Sequence, residues 1–212
     1  MMLTALIDYK SGNLHSAVKA FEKIADENSL GSVEITSDPD IISNADRLVL
    51  PGDGAFPACK NALERSEVFE ALKYAVCAKG TPFLGICVGM QLMANQGSEF
   101  ELTNGLGWIN GEVEKIKVDD PKLKIPHMGW NDIIIDCDHP ILKEIRDGDH
   151  FYFVHSYQMK VFSTEQRLAH ASYGGDITAI VAKDNMAGLQ FHPEKSSHSG
   201  MKIIQNFLAW AP

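Results

Sequence analysis

The sequence predicts an α/β fold with a mostly parallel central sheet flanked by helices. Three observations point there. Short apolar runs alternate with amphipathic spans through the first half of the chain, the pattern of right-handed β–α–β crossovers. One of those runs ends in Gly85-Ile-Cys-Val-Gly89 and opens into a helical pattern, the form of a sharp strand-to-helix turn. The length, 212 residues, suits a single domain spanning residues 1–212 and able to bury about 70% of its unfolded surface.

Taken in order, Leu3-Thr-Ala-Leu-Ile-Asp8 reads as a buried strand, and Asn13 to Asn28 sets Leu14, Val18, Phe21 and Ile24 on one helix face. Val33 to Thr36 is a second strand. Arg47-Leu-Val-Leu-Pro-Gly52 is a third, closed by Pro-Gly. Ala55 to Leu63 and Val68 to Ala78 have helical spacing, and Pro82 to Ile86 is a fourth strand. In a parallel sheet the carboxyl ends of the strands share one rim, where ligands bind. Asp8-Tyr9, Pro51-Gly52 and Cys87 fall on it. From Trp108 onward the chain turns strand-rich: Gly111 to Val118, Trp130 to Ile135, Phe151 to Tyr157, Leu168 to Tyr173, Thr178 to Ala182 and Gly188 to Phe191. A final helix, Gly200 to Trp210, aligns Met201, Ile204, Phe207 and Leu208 toward the sheet as core.

Composition excludes several functions. Nineteen Lys and Arg against 28 Asp and Glu give a formal charge of −9 without a basic block, so phosphate backbones are repelled and nucleic acid is not an expected partner. Gly52-Asp-Gly54 is G-x-G without a third glycine, and no P-loop is present. No apolar run approaches the ~20 residues of a membrane span. Cys59, Cys77, Cys87 and Cys137 form no C-x-x-C pair or Cys/His cluster, and the first residues are too short and polar-ended for a signal peptide. A soluble protein of the reducing cytoplasm is expected, with no membrane association, cofactor or metal.

Two segments carry chemistry. A nucleophile on a strand-to-helix turn needs neighbours without Cβ atoms, which Gly85 and Gly89 supply, and the N–H groups opening the next helix favour a thiolate at Cys87. A cysteine on an apolar run is otherwise an ordinary core thiol. The second segment, Gly188-Leu-Gln-Phe-His-Pro-Glu-Lys-Ser196, decides between them. Pro193 favours an extended chain, in which His192 and Glu194 point to the same side and Lys195 to the other. Glu194 can then hold one imidazole nitrogen while the other faces a nucleophile. Cys87, His192 and Glu194 together make a nucleophile–base–orienter triad.

Gly-Ile-Cys-Val-Gly-Met-Gln with a distant His-Pro-Glu, preceded by Leu-Pro-Gly-x-Gly, resembles the class I (triad) glutamine amidotransferases nearly end to end. Within them, Asp8-Tyr9 with Gly12-Asn13, Pro51-Gly-Asp-Gly-Ala-Phe56, Ile125-Pro-His-Met-Gly-Trp-Asn131, Phe153-Val-His-Ser-Tyr157 and His192-Pro-Glu-Lys-Ser196 resemble the glutaminase subunits of imidazole glycerol phosphate synthases. Met90 agrees, since many other class I members carry His there. Asp53 stands where the family often has an apolar residue, and Lys10-Ser11 where small residues are common.

The resemblance implies the single-domain class I amidotransferase (flavodoxin-like) fold and hydrolysis of L-glutamine to glutamate and ammonia. Cys87 is then the nucleophile, His192 the proton carrier and Glu194 its orienter. Val88 N–H and an N–H from Gly52-Asp53 form the oxyanion hole, and the glycines at 52 and 54 let that turn switch between donor-in and donor-out states. Gln91, Ser156 and Tyr157 hold glutamine, with Glu99 a candidate for its ammonium. The implied partner is a separate (β/α)₈-barrel cyclase in a heterodimer, with Asn13, Trp130, Tyr152 and Lys195 at the interface around the ammonia exit. Trp130 and Tyr152 also suit ordinary packing, and Lys195 a solvated surface. Other readings are an amidotransferase for anthranilate, aminodeoxychorismate or pyridoxal phosphate synthesis, a cysteine hydrolase of related flavodoxin-like fold, and a non-catalytic module.

Overall fold

The computed structural model describes residues 2–10 and 14–212. Its first half alternates as the apolar runs require: β1 (Leu3–Ile7), α1 (Leu14–Asn28), β2 (Ser32–Thr36), α2 (Pro39–Asn44), β3 (Arg47–Gly52), α3 (Phe56–Arg65), α4 (Val68–Lys73), β4 (Phe83–Cys87) and α5 (Val88–Gln91). The span expected to be helical to Ala78 is helical, but its last turn, Tyr74–Ala78, is a π-helix. α2 is too short for periodicity to reveal. It is set by local chemistry: Asp38 accepts a hydrogen bond from Asp40 N, and Pro39 supplies a helix-compatible φ at the first position.

The second half contributes β5 (Gln96–Gly97), β6 (Thr103–Asn104), β7 (Gly111–Lys115), β8 (His127–Asp132), β9 (Ile134–Ile135), β10 (His150–His155), β11 (Tyr157–Val161), β12 (Arg167–Ser172), β13 (Asp176–Lys183), β14 (Met186–Leu189) and α6 (Ser197–Ala209). The main sheet runs β2-β1-β3-β4-β14-β13-β12-β9. Pairings from β2 to β14 are parallel and those beyond β14 are antiparallel. β11-β7-β5-β6 form a second sheet, and β8 and β10 an antiparallel ribbon.

Two features of this frame position the site. β3, β4 and β14 are fully buried and adjacent, so three chain segments distant in sequence end side by side. Phe191, just past β14, is stacked on Phe151 (4.1 Å between ring centroids) and meets Phe153 edge-on at 5.6 Å. Those two rings come from the inward face of β10, so the residue before His192 is locked by aromatic packing worth about 0.5–1.5 kcal/mol per pair beyond its burial.

Candidate active site

Cys87 is the last residue of β4, with φ 55° and ψ −114°, a conformation few non-glycine residues adopt. The tight turn is possible because the surrounding backbone is bare. A Cβ on Gly85 would lie 2.6 Å from Gly89 O, and one on Gly89 only 1.9 Å from Leu50 O. The helix after Cys87 is a single turn, so its dipole reaches the sulfur only through its first N–H groups. Gly52 is the ladder partner of Cys87, which sets the Pro51-Gly52-Asp53 turn directly beside its thiol. Asp53 is exposed, and its carbonyl accepts from the buried Cys59 thiol at 3.5 Å.

His192 and Glu194 do not lie on an extended strand. Pro193–Lys195 form a 3-10 turn, because the fixed φ of proline suits the first position of a helical turn as well as an extended chain. The pairing needs no extended chain: His192 Nδ1 and Glu194 Oε1 are 2.9 Å apart. A carboxylate can only accept, so Nδ1 carries the proton and Nε2 is left for Cys87, with whose side chain the ring is hydrogen-bonded. Burial lowers the His192 pKa, but hydrogen bonds and charges from Cys87 and Glu194 outweigh it and push it up to about 10. Ser196 pins the turn: its Oγ donates to His192 O at 2.6 Å and accepts from Tyr152 N at 2.9 Å.

Asp53, Cys87, Val88, Gln91, Glu99, Ser156 and Tyr157 surround one cavity of about 280 Å³, while Gly52 borders a smaller one beside His192 and Glu194. The larger volume is that of a small-metabolite pocket. Both amide hydrogens of Gln91 are committed, to Tyr157 O (2.9 Å) and Gln190 Oε1 (3.0 Å), so its Oε1 is what it can offer a ligand. Glu99 Oε2 accepts from Phe56 N at 2.7 Å, capping α3 where the turn after β3 ends. That leaves one oxygen for a cationic group. A larger groove, about 890 Å³ between α1 and α6, lies apart from Cys87 and is bordered by several lysines.

Sequence reasoning missed Gln190, which is fully buried with Nε2 3.9 Å from Cys87 Sγ, and it gave no role to Ser196 or to the histidines of the Pro-His-Met and Val-His-Ser strings. Gln190 had no signal beyond its place two residues before His192. Of the residues expected at a partner surface, Trp130 is half exposed and meets Tyr152 edge-on at 6.2 Å across the β8–β10 ribbon, and Lys195 is exposed. Asn13 lies outside the described residues, as do the Gly12 of its motif and Ser11. Among the described residues no helix is long and apolar enough to cross a membrane.

Comparison with known proteins identifies the family of the chain. Residues 5–210 match the family model "Glutamine amidotransferase class-I". The chain is 58% identical over all 212 residues to the imidazole glycerol phosphate synthase subunit HisH of Ruegeria pomeroyi and 57% identical to that of Cereibacter sphaeroides, covering the whole of each. Among solved structures, a glutamine amidotransferase (TM-score 0.73, 14% identity, 97% of each chain) and the glutaminase domain of Trypanosoma brucei CTPS (TM-score 0.71, 16% identity, 99% of this chain and 93% of that one) share the fold. The chain belongs to the class I glutamine amidotransferases and, within them, to the HisH subunits of imidazole glycerol phosphate synthase.

Proposed function

We propose that this chain hydrolyses L-glutamine to glutamate and ammonia and passes the ammonia to a (β/α)₈-barrel cyclase, its partner in a cytoplasmic heterodimer that makes imidazole glycerol phosphate and aminoimidazole carboxamide ribotide in histidine biosynthesis. The observation that carries the reading is the meeting of His192 with both Glu194 and Cys87, the last of which lines a 280 Å³ cavity, in a chain 58% identical over its full length to a HisH subunit.

Cys87 Sγ attacks the carboxamide carbon, and the oxyanion that forms takes hydrogen bonds from Val88 N–H and an N–H of Gly52-Asp53. His192 gives its Nε2 proton to the amide nitrogen, the C–N bond breaks and ammonia leaves a glutamyl thioester. Neutral His192 then takes a proton from water as the oxygen adds to the thioester carbon. Collapse of that intermediate releases glutamate and the thiolate. Glu194 keeps the ring oriented and stabilises the imidazolium. Gln91 Oε1, the Ser156-Tyr157 backbone and Glu99 hold the amino-acid end of glutamine.

Free ammonia protonates in neutral water and loses its nucleophilicity, so a partner has to receive it directly. Trp130, Tyr152, Lys195 and Asn13 form the contact with that partner. The Gly52-Asp53-Gly54 turn keeps basal hydrolysis low until the partner fixes its donors. The test is glutamine hydrolysis by the purified chain alone and with a barrel cyclase and its nucleotide substrate. A large rise with the cyclase, together with formation of imidazole glycerol phosphate, is expected. Full hydrolysis by the chain alone, or no product with the cyclase, overturns the reading.

A further inference from the structure

His127 and His155 take no part in the steps above, yet both are buried, at 3% and 6% exposure, and joined Nδ1 to Nε2 at 3.0 Å. The direction of their hydrogen bonds is fixed from one end. His155 Nδ1 lies 2.8 Å from Tyr157 O, and a carbonyl only accepts, so Nδ1 bears the proton and His155 Nε2 is bare. His127 Nδ1 therefore donates to it, leaving His127 Nε2 to accept from Asn131 Nδ2 at 3.2 Å. Asn131 Nδ2 also donates to Ser172 O, 3.1 Å away. Every donor points inward along one line, Asn131 to His127 to His155 to the Tyr157 carbonyl. That arrangement holds only while both rings are neutral. Burial enforces it, lowering His127 to about 4 and His155, which also faces His127 and His192, to about 3.

The line ends on the wall of the glutamine cavity. Tyr157 O receives His155 Nδ1 and, from the other side, Gln91 Nε2, which continues to Gln190 and so to Cys87 Sγ. Its outer end is in β8, where His127 is buried and stacked between Tyr173 (4.1 Å) and Phe153 (4.7 Å), while Met128 and Trp130, on the alternate positions, are exposed.

We propose that His127 and His155 are positioning residues for the glutamine site: a one-way hydrogen-bond relay that holds the Tyr157 carbonyl and the Gln91 amide in place and ties this wall of the cavity to the strand that presents Met128 and Trp130. The proposal rests on the glutaminase reading and names residues that the reading does not need.

The groups held by the relay touch the amino-acid end of glutamine, remote from the bond that breaks, so their loss weakens binding before it slows chemistry. In the complex with the cyclase, His155→Leu should raise the glutamine KM about tenfold with kcat within about threefold of the parent. His155→Gln keeps a donor for Tyr157 O and an acceptor for His127, and should recover most of the KM. Asn131→Ala, at the half-buried outer end, should move KM the same way by less, and serves if His155→Leu does not fold. A KM unchanged in both His155→Leu and Asn131→Ala, a fall in kcat at constant KM, or no rescue by His155→Gln overturns the relay while leaving the glutaminase reading intact. A parent complex unable to hydrolyse glutamine overturns both.

Discussion

Replacing Gly89 by alanine probes the turn that presents Cys87. A Cβ at this position would sit 1.9 Å from Leu50 O, where ordinary contacts begin near 3.4 Å, so about 1.5 Å of space has to be made. Leu50 cannot supply it. It is fully buried in β3, between β1 and β4, and its ladder partner is Gly85. The single turn of α5 must lift instead, carrying Val88 N–H and the Cys87 backbone away from Gly52. Overpacking of this kind costs about 1–3 kcal/mol, or a Tm loss of roughly 2–12 °C for a chain of this size. The kinetic effect should be larger, because a displacement of ~1 Å at reacting groups costs about 10²-fold. Glutamine-dependent turnover by the complex should fall about a hundredfold while turnover with ammonium salts persists, since that route bypasses Cys87. Glutamine turnover within about threefold of the parent, with normal Tm, would contradict this account of the turn.

Cys87→Ala should abolish glutamine-dependent synthesis and spare synthesis from ammonium, and His192→Ala should behave alike; Glu194→Gln, which leaves both reacting groups, should be less severe. Steady-state rates with each nitrogen source decide it, and residual glutamine turnover in Cys87→Ala excludes this nucleophile. Lys195→Ala should lower the ratio of partner-stimulated to basal hydrolysis with Tm nearly unchanged, and an unaltered ratio at saturating partner returns Lys195 to the solvated surface. Because the His192 pKa is raised from 6.5 to about 10, its contribution to stability is fully present below pH 6.5 and is lost as the pH rises through 10. The Tm gap between parent and His192→Ala should therefore be widest near pH 6 and narrow toward pH 10.5. A gap that grows with pH reverses the sign.

The parallel part of the sheet was legible because buried strands leave continuous apolar runs: Arg47–Gly52 emerged with its bounds unchanged, and the other four strands to within a residue or two. Short elements were not. β5 and β6 have two residues each, and α2 depends on one cap and one proline. At the site, the glycine bracket of Cys87 and the proline between His192 and Glu194 named the triad residues from sequence. Gln91, Glu99, Ser156 and Tyr157, which share one cavity with Asp53, Cys87 and Val88, came only from the family resemblance. Gln190 came from neither, since a buried amide two places from His192 looks like any strand residue until its partners are known. The His192–Lys195 turn, which proline permits as readily as an extended chain, is held by Ser196 through His192 O and through Tyr152 N, the latter a contact across 44 residues that local pattern cannot carry.

The position of β14 also orders events in the making of the protein. β4 pairs with β3 on one side and with β14 on the other, and β14 is synthesised only after the entire strand-rich half has emerged. Until then the cysteine-bearing strand is an uncovered sheet edge, and the imidazole that would activate it is still to come. Pairing of such sequence-distant strands is intrinsically slow. On the proposed mechanism, a nascent chain therefore holds Cys87 without its base, and the two meet only with the closing of the central sheet.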